Sequence, residues 1–210
     1  MNRDIEFRLM EESDAEGALE LLAKSFCNHD PIEVVLGITE PEFIEMIRLD
    51  LPQIFRDSLS IVAELAGTNE LIGVTIALDA TTAFTDSTGK ISPKFAPVAA
   101  IVNQLHHPYL KRLPKTGGHT AYYYMGAVKA AYQGRGVARR MFKAAEDRIA
   151  SKLYKRLFGI STNRSSLAAL EKNGFHSVAT VSYQDFVFQG QKPFASIQKH
   201  SGLALIEKDL

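Results

Sequence analysis

Gly134, Arg135 and Gly136 stand together in AYQGRGVARR, residues 131–140, with Arg139 and Arg140 close behind. Two positions without a Cβ, ringed by positive charge, suit a loop that closes on an anion. A strand-like run, HTAYYYMGAV (119–128), leads into it. After it Val137, Met141, Ala145 and Ile149 step by four, as in a helix packed on a sheet. The first amides of such a helix lack internal partners and carry the positive end of its dipole, so backbone alone could hold a phosphate at Gly136. Two familiar phosphate loops do not fit. No lysine followed by serine or threonine completes a nucleotide P-loop, and Arg139 takes the third glycine position of the dinucleotide fingerprint. A plain strand-to-helix turn is the competing reading.

Asp30, directly before Pro31, and Glu33 form a second grouping with chemistry in it. A carboxylate can draw in an ammonium group and accept its proton. Aspartate before proline is also an ordinary turn or cap residue. Ser166 and Tyr183 carry hydroxyls able to give up a proton, and they read equally well as a small residue on a packed helix and a sheet aromatic. His106 and His107 are adjacent, so they lack the i, i+4 spacing of a helical metal pair, and no metal is expected. The single cysteine, Cys27, lies on an apolar helix face and reads as core. It has no partner for an internal disulfide, which suits a reducing, cytoplasmic setting.

The elements that would position these groups follow from periodicity. IEFRLM (5–10) alternates as a strand. Ser13 or Asp14 can cap a helix carrying Ala18, Leu21, Leu22 and Phe26, expected to end near 28–31. A second helix is expected from about Pro41, with Phe43, Ile44, Ile47, Leu51 and Ile54 on one side and Pro52 as a kink or break. SIVAEL (60–65) and ELIGVTIAL (70–78) read as a hairpin. Residues 80–118 read as an insertion that encloses one helix at FAPVAAIVNQL. A strand at 157–161, a helix at 164–173 ended by Gly174, and strands at 178–188 and 203–208 complete the chain. Tyr122, Tyr123 and Tyr124 alternate across their strand, so some face the core and some could line a pocket. A mixed α/β sheet with helices on both faces is the packing this order implies.

Charge narrows the partners. Lys and Arg balance Asp and Glu at 24 each, which disfavours a nucleic-acid binder. No apolar run is long enough to span a bilayer, so no membrane partner is expected either. The halves differ, however. Residues 1–70 hold 16 acids against 5 bases, and 129–156 hold 9 bases against 2 acids. Differently solvated faces would explain this, as would a cationic ligand drawn to the first segment and an anionic one to the second.

VKAAYQGRGVA (128–138) resembles the acetyl-CoA motif of the GNAT superfamily of N-acetyltransferases, Q/R-x-x-G-x-G/A after a strand. NRSSLAALEKNGF (163–175) is similar to the same family's downstream Asn-x-x-Ala…Tyr-x-Lys-x-Gly-Phe segment, in the right order. The resemblance implies one acetyltransferase domain over 1–210, a mostly antiparallel central sheet with helices on both faces, and acetyl-CoA as co-substrate. Backbone amides of Gln133, Gly134, Arg135, Gly136, Val137 and Ala138 would hold the CoA pyrophosphate. Ala127 and Val128 would pair with the pantetheine arm, and Asn163 would lie close to the cofactor. Two departures stand out. Ala130 replaces a frequent proline, and Leu170 replaces the tyrosine that in many members protonates the departing thiolate. That role would pass to Ser166 or Tyr183, or vanish. SFCNHDPIEVVLG (25–37) resembles the insect arylalkylamine N-acetyltransferases, where the acid before proline is the base; Asp30 stands there in place of glutamate. STNRSS (161–166) and VSYQDFVFQGQKPF (181–194) are also similar to that branch. The expected activity is acetyl transfer to a small primary amine, an arylalkylamine or polyamine. Acylation of a protein or peptide amino terminus, or a non-catalytic CoA-binding module, are the alternatives.

Overall fold

A computed structural model describes residues 4–82 and 91–210. Residues 83–90, in the start of the expected insertion, lie outside the described residues. Seven strands form one sheet: β1 (Ile5–Leu9), β2 (Ile61–Leu65), β3 (Glu70–Asp79), β4 (Thr120–Val128), β5 (Arg156–Ser161), β6 (His176–Ser182) and β7 (Gly202–Asp209). Their spatial order is β1-β2-β3-β4-β5-β7-β6. Every pairing is antiparallel except β4 with β5. One face is covered by α1 (Ala15–His29), α3 (Glu40–Asp57) and α4 (Phe95–Leu110), with the short α2 (Pro31–Leu36) beside them. The other is covered by α5 (Val137–Ser151) and α6 (Arg164–Lys172). The mixed α/β sheet with helices on both faces is therefore observed.

Local chemistry explains most boundaries. Thr39 and Glu42 make a reciprocal capping box that starts α3 with Pro41 in its first turn. Pro52 neither breaks nor divides that helix, which runs on to Asp57 and ends on Ser58 in the left-handed conformation. Asp14 does precede α1, but its carboxylate takes the Glu11 amide and the Arg8 guanidinium instead of capping the helix. The 28–31 stretch ends α1 and at once starts α2: Pro31 occupies the first helical turn, where its missing donor costs nothing, and Asp30 caps it. That second start was not expected.

The expected strand at 178–188 needs correction. β6 begins at His176 and stops at Ser182, and the Phe186 amide then donates to the Ser182 carbonyl in a helix-like turn. Tyr183 and Phe186, three apart, both point into the core around Phe194. An extended strand, with its period of two, would send them to opposite faces.

A bulge decides where the sheet separates. Ile76 faces Met125 and Ala77 faces Tyr123, so Tyr124 is an extra residue in β4. Such an insertion bends and twists the strand that carries it. The β4–β5 ladder ends one residue earlier, at Tyr123 opposite Gly159. Beyond it, Met125–Val128 pair with β3, and Ile160–Ser161 pair with β7. The last rung needs glycine for a steric reason: a Cβ on Gly159 would lie 3.0 Å from the Tyr123 carbonyl oxygen. Gly159→Ala is expected to destabilise the fold by about 1–3 kcal/mol through this overpacking. Urea titration would show it, and an unchanged midpoint would contradict it.

Candidate active site

The gap between β4 and β5 is the centre of a cavity of about 540 Å³ that reaches both faces of the sheet. Tyr123, Phe142 and Leu170 line it on the α5–α6 side; Phe26, Phe95 and Tyr122 line it on the other. The three tyrosines divide as alternation predicts, with Tyr123 toward α5 and its two neighbours toward α4.

At one end of the gap lies the glycine loop. A 3-10 turn, Ala130–Tyr132, leads from β4 to Gln133, and Gly136 caps α5. Gly134 and Gly136 both have φ of +73°, a conformation that favours glycine, and nothing lies within 4 Å of where a Cβ would stand. The first helical bond runs from the Arg140 amide to the Gly136 carbonyl, so the amides of Val137, Ala138 and Arg139 precede the ladder. Arg135 lies over the Tyr132 ring and Arg140 over Phe7, and neither they nor Arg139 form an ion pair among the described residues. The Lys129 amide donates to Ile72 in β3, so the preceding amide, of Val128, faces the open edge. Gln133 Nε2 donates to the Val128 carbonyl on that edge at 3.0 Å and leaves the amide available. Ala127 is buried against α1 and α3, and by the same alternation its main-chain groups face β3, so the expectation that it pairs with the pantetheine arm finds no free group. Val128 and Gln133 also line a neighbouring cleft of about 910 Å³ that meets the cavity at Ser25 and His29.

Carboxylates line the cavity itself. Asp30 Oδ1 accepts the Ile32 amide at 3.1 Å, and Oδ2 accepts the Thr162 hydroxyl from just beyond β5. Glu33 is 8% exposed, and its Oε2 has no hydrogen-bond partner among the described residues. Burial first, and the negative charge of Asp30 second, push the Glu33 carboxyl well above the usual range. Asp50 of α3 accepts the Tyr124 hydroxyl at 3.1 Å, and burial raises its pKa too. Among the described residues no lysine or arginine lines this cavity. Some acids of the first third are paired elsewhere: Arg8 binds Asp14 and Glu64, Arg48 binds Glu16, and Lys94 binds Glu42. Among the described residues Asp30, Glu33 and Asp50 are the acids that face the cavity.

The hydroxyl candidates fare differently. Ser166 lines the cavity in the first turn of α6, within 2.5 Å of Ser161 Oγ and 3.0 Å of the Asn163 carbonyl. Asn163 caps that helix by accepting the Ser166 amide at 2.9 Å, and it too borders the cavity. Tyr183 does not reach the cavity. It is fully buried, its hydroxyl donates to the Thr162 carbonyl at 2.6 Å, and burial raises its pKa far above that of free tyrosine. It is a strut beneath the Thr162–Asp30 contact, and the expectation that it could protonate a leaving group finds no geometry here. Leu170 is buried and apolar at the cavity wall. Half-buried Cys27 packs against the core, and burial pushes its thiol up to about 11. His106 lies edge-on to Tyr122 and Phe158 in the core, its pKa lowered to about 3 by burial.

Thr162 and Asp50 were not singled out from sequence. Thr162 sits in the quoted STNRSS run but meets Asp30 only through folding. Asp50 did leave a sign: it falls on the stripe of Phe43, Met46, Ile47 and Ile54 that α3 buries, where a charge is out of place.

Comparison with known proteins agrees with this geometry. The profile of the Acetyltransferase (GNAT) family matches residues 39–175. Several solved structures share the fold. The C-terminal condensation domain of Ebony, in complex with β-alanyl-dopamine, superposes with a TM-score of 0.90 at 15% identity over 99% of this chain and 100% of that one. Arylalkylamine N-acetyltransferase 2 from Aedes aegypti gives 0.77 at 16% over 98% and 99%. The Drosophila melanogaster polyamine N-acetyltransferase, which forms N-acetylagmatine, gives 0.77 at 15% over 99% and 100%. Among the described residues no helix is long and apolar enough to cross a membrane, and no group of three or more His, Cys, Asp or Glu is placed to hold a metal ion.

Proposed function

The chain belongs to the GNAT acetyltransferase family, and on that premise we propose that it moves the acetyl group of acetyl-CoA to a small primary amine by direct attack in a ternary complex. Arylalkylamines and polyamines are the favoured acceptors. One observation carries the reading: the open edge of β4 runs from the glycine loop, with its unpaired α5 amides, to a cavity whose carboxylates meet no lysine or arginine among the described residues. Two neighbours of the same fold support the acceptor class, one described with β-alanyl-dopamine and one with N-acetylagmatine.

The residues fit acetyl-CoA. The amides of Val137, Ala138 and Arg139, reached past Gly134 and Gly136, would hold the pyrophosphate, with Arg135, Arg139 and Arg140 around it. The open edge of β4 offers main-chain groups to the pantetheine arm, and the Val128 amide is a preorganised donor for the oxyanion of the attacked carbonyl. Asn163 borders the same space from the α6 side.

An alkylammonium resembles lysine, with a pKa of about 10.4, and must lose a proton before it attacks. Glu33 and Asp30 receive it. Asp30 is held by the Ile32 amide and the Thr162 hydroxyl, and its charge helps keep Glu33 basic. Glu33, with an unpartnered oxygen, takes the proton, which reverses the expected order of Asp30 first and Glu33 second. Ser166, which lines the cavity, would protonate the departing thiolate. The cytoplasm, where acetyl-CoA and reduced thiols coexist, is the proposed setting.

A non-catalytic CoA-binding module is the second reading, favoured by apolar Leu170 on the cavity wall. The deciding experiment follows CoA release from acetyl-CoA with phenethylamine, tryptamine, dopamine, spermidine and a short peptide, with acetyl-CoA binding measured in parallel. Turnover with small amines supports the proposal. Tight binding with no turnover selects the module, and turnover of the peptide alone selects peptide N-acetylation.

A further inference from the structure

Among the described residues three carboxylates face the cavity, yet the proposed chemistry uses two of them. Asp50 lies on α3, away from the α1–α2 junction that carries Asp30 and Glu33. Its one hydrogen-bond partner among the described residues is the Tyr124 hydroxyl, at 3.1 Å. Tyr124 is the bulge residue of β4, so the irregularity that separates β4 from β5 also presents this phenol to α3. No lysine or arginine compensates Asp50, since the cavity lining contains neither among the described residues; His29 and His107 are its basic side chains, and neither bonds to Asp50. The carboxylate nevertheless sits on the stripe of α3 that packs into the core. Asp50 is half-buried, and a singly bonded carboxylate withdrawn from water in this way gains from a cation or further donors. The cavity asks for such a group a second time at Glu33, which is 8% exposed with Oε2 unpartnered.

A monoamine supplies one positive charge, and the Asp30–Glu33 pair receives it. Its apolar tail would then lie against Asp50 and strip it of solvent with nothing in return. An acceptor with a second charged nitrogen meets both demands. The walls suit its methylene chain, since Phe26, Phe95, Val98 and Tyr122 are apolar or aromatic, and aromatic faces also accept cations.

We propose that Asp50, oriented by Tyr124, binds a second positively charged nitrogen at the far end of the acceptor and so selects diamines over monoamines of the same length. This rests on the amine acetyltransferase reading above and narrows it.

The test compares putrescine with butylamine and cadaverine with pentylamine, pairs that differ by the second nitrogen. The chain is expected to prefer each diamine by about tenfold or more in kcat/KM. Asp50→Asn keeps the shape and removes the charge. Its loss is expected to be at least about tenfold greater for putrescine than for butylamine and to appear chiefly in KM, as for a lost binding contact remote from the reacting atoms. Tyr124→Phe should move the preference the same way by a smaller factor, and it decides the matter if Asp50→Asn fails to fold. Equal use of diamine and monoamine by the unaltered chain overturns the proposal. So does an equal loss on both substrates in the variants, which would mark Asp50 as purely structural. In either case amine acetylation itself still stands. Acetyl-CoA binding without acetylation of any amine would instead overturn the function proposed above, and this inference with it.

Discussion

Gly136→Val is expected to abolish acetyl-CoA binding in a chain that still folds. Gly136 has φ of +73° at the start of α5, where a β-branched residue is a strong outlier. Forcing it there costs about 1–3 kcal/mol, or else turns the first amides of α5 away from their present direction. Either response harms the same feature. Nothing lies within 4 Å of the position a Cβ would take, so the added methyls would occupy open space that the proposal assigns to a phosphate. Loss of affinity of about a hundredfold or more is the expected result, since several charge-assisted bonds go together. Calorimetric titration with acetyl-CoA would measure it, with circular dichroism confirming the fold. Gly134→Val, also at φ +73° but outside the helix, should weaken binding less. Binding retained by folded Gly136→Val would remove the pyrophosphate from this loop and leave AYQGRGVARR a plain turn.

This loop was legible in the sequence because its requirements are local. Positive φ calls for glycine, a helix start follows within a residue, and the strand before it alternates. Asp30 was legible for a similar reason, since proline one residue later restricts what the aspartate can be doing. The same proline also started a helix, α2, that six residues were too few to announce by periodicity. What remained hidden depends on contacts across the chain. Thr162 reaches Asp30 over 132 positions and Tyr124 reaches Asp50 over 74, and no local pattern encodes either meeting. The bulge at Tyr124 was invisible because it is a property of pairing with β3, while the run of tyrosines reads as ordinary alternation. Tyr183 shows the opposite error. Its type and its neighbourhood of β-favouring residues suited a strand with a free hydroxyl, whereas core packing with Phe186 and Phe194 turned it inward.

The carboxylate pair yields the second large effect, and its sign with pH separates the roles of its members. Glu33→Gln is expected to lower kcat by about a hundredfold, within the range for a lost general base, while acetyl-CoA affinity changes little. The unaltered enzyme should gain activity as pH rises, because the acceptor of the proton must first be ionised. That rise should lie above the usual carboxylate range, because burial and the Asp30 charge both disfavour the ionised form of Glu33. Asp30→Asn removes the second cause and leaves burial, the first. The rise should therefore move to lower pH without disappearing, and kcat should fall by about tenfold as a less basic Glu33 drives proton transfer less well. A rise abolished by Asp30→Asn would return the base to Asp30, with Glu33 the residue that tunes it. A flat profile from pH 6 to 9 in the unaltered enzyme, measured with putrescine and with phenethylamine, would take the proton from both. The amine would then have to shed it to water before reaching the cavity, and the burial of Glu33 beside Asp30 would be left without a catalytic reason.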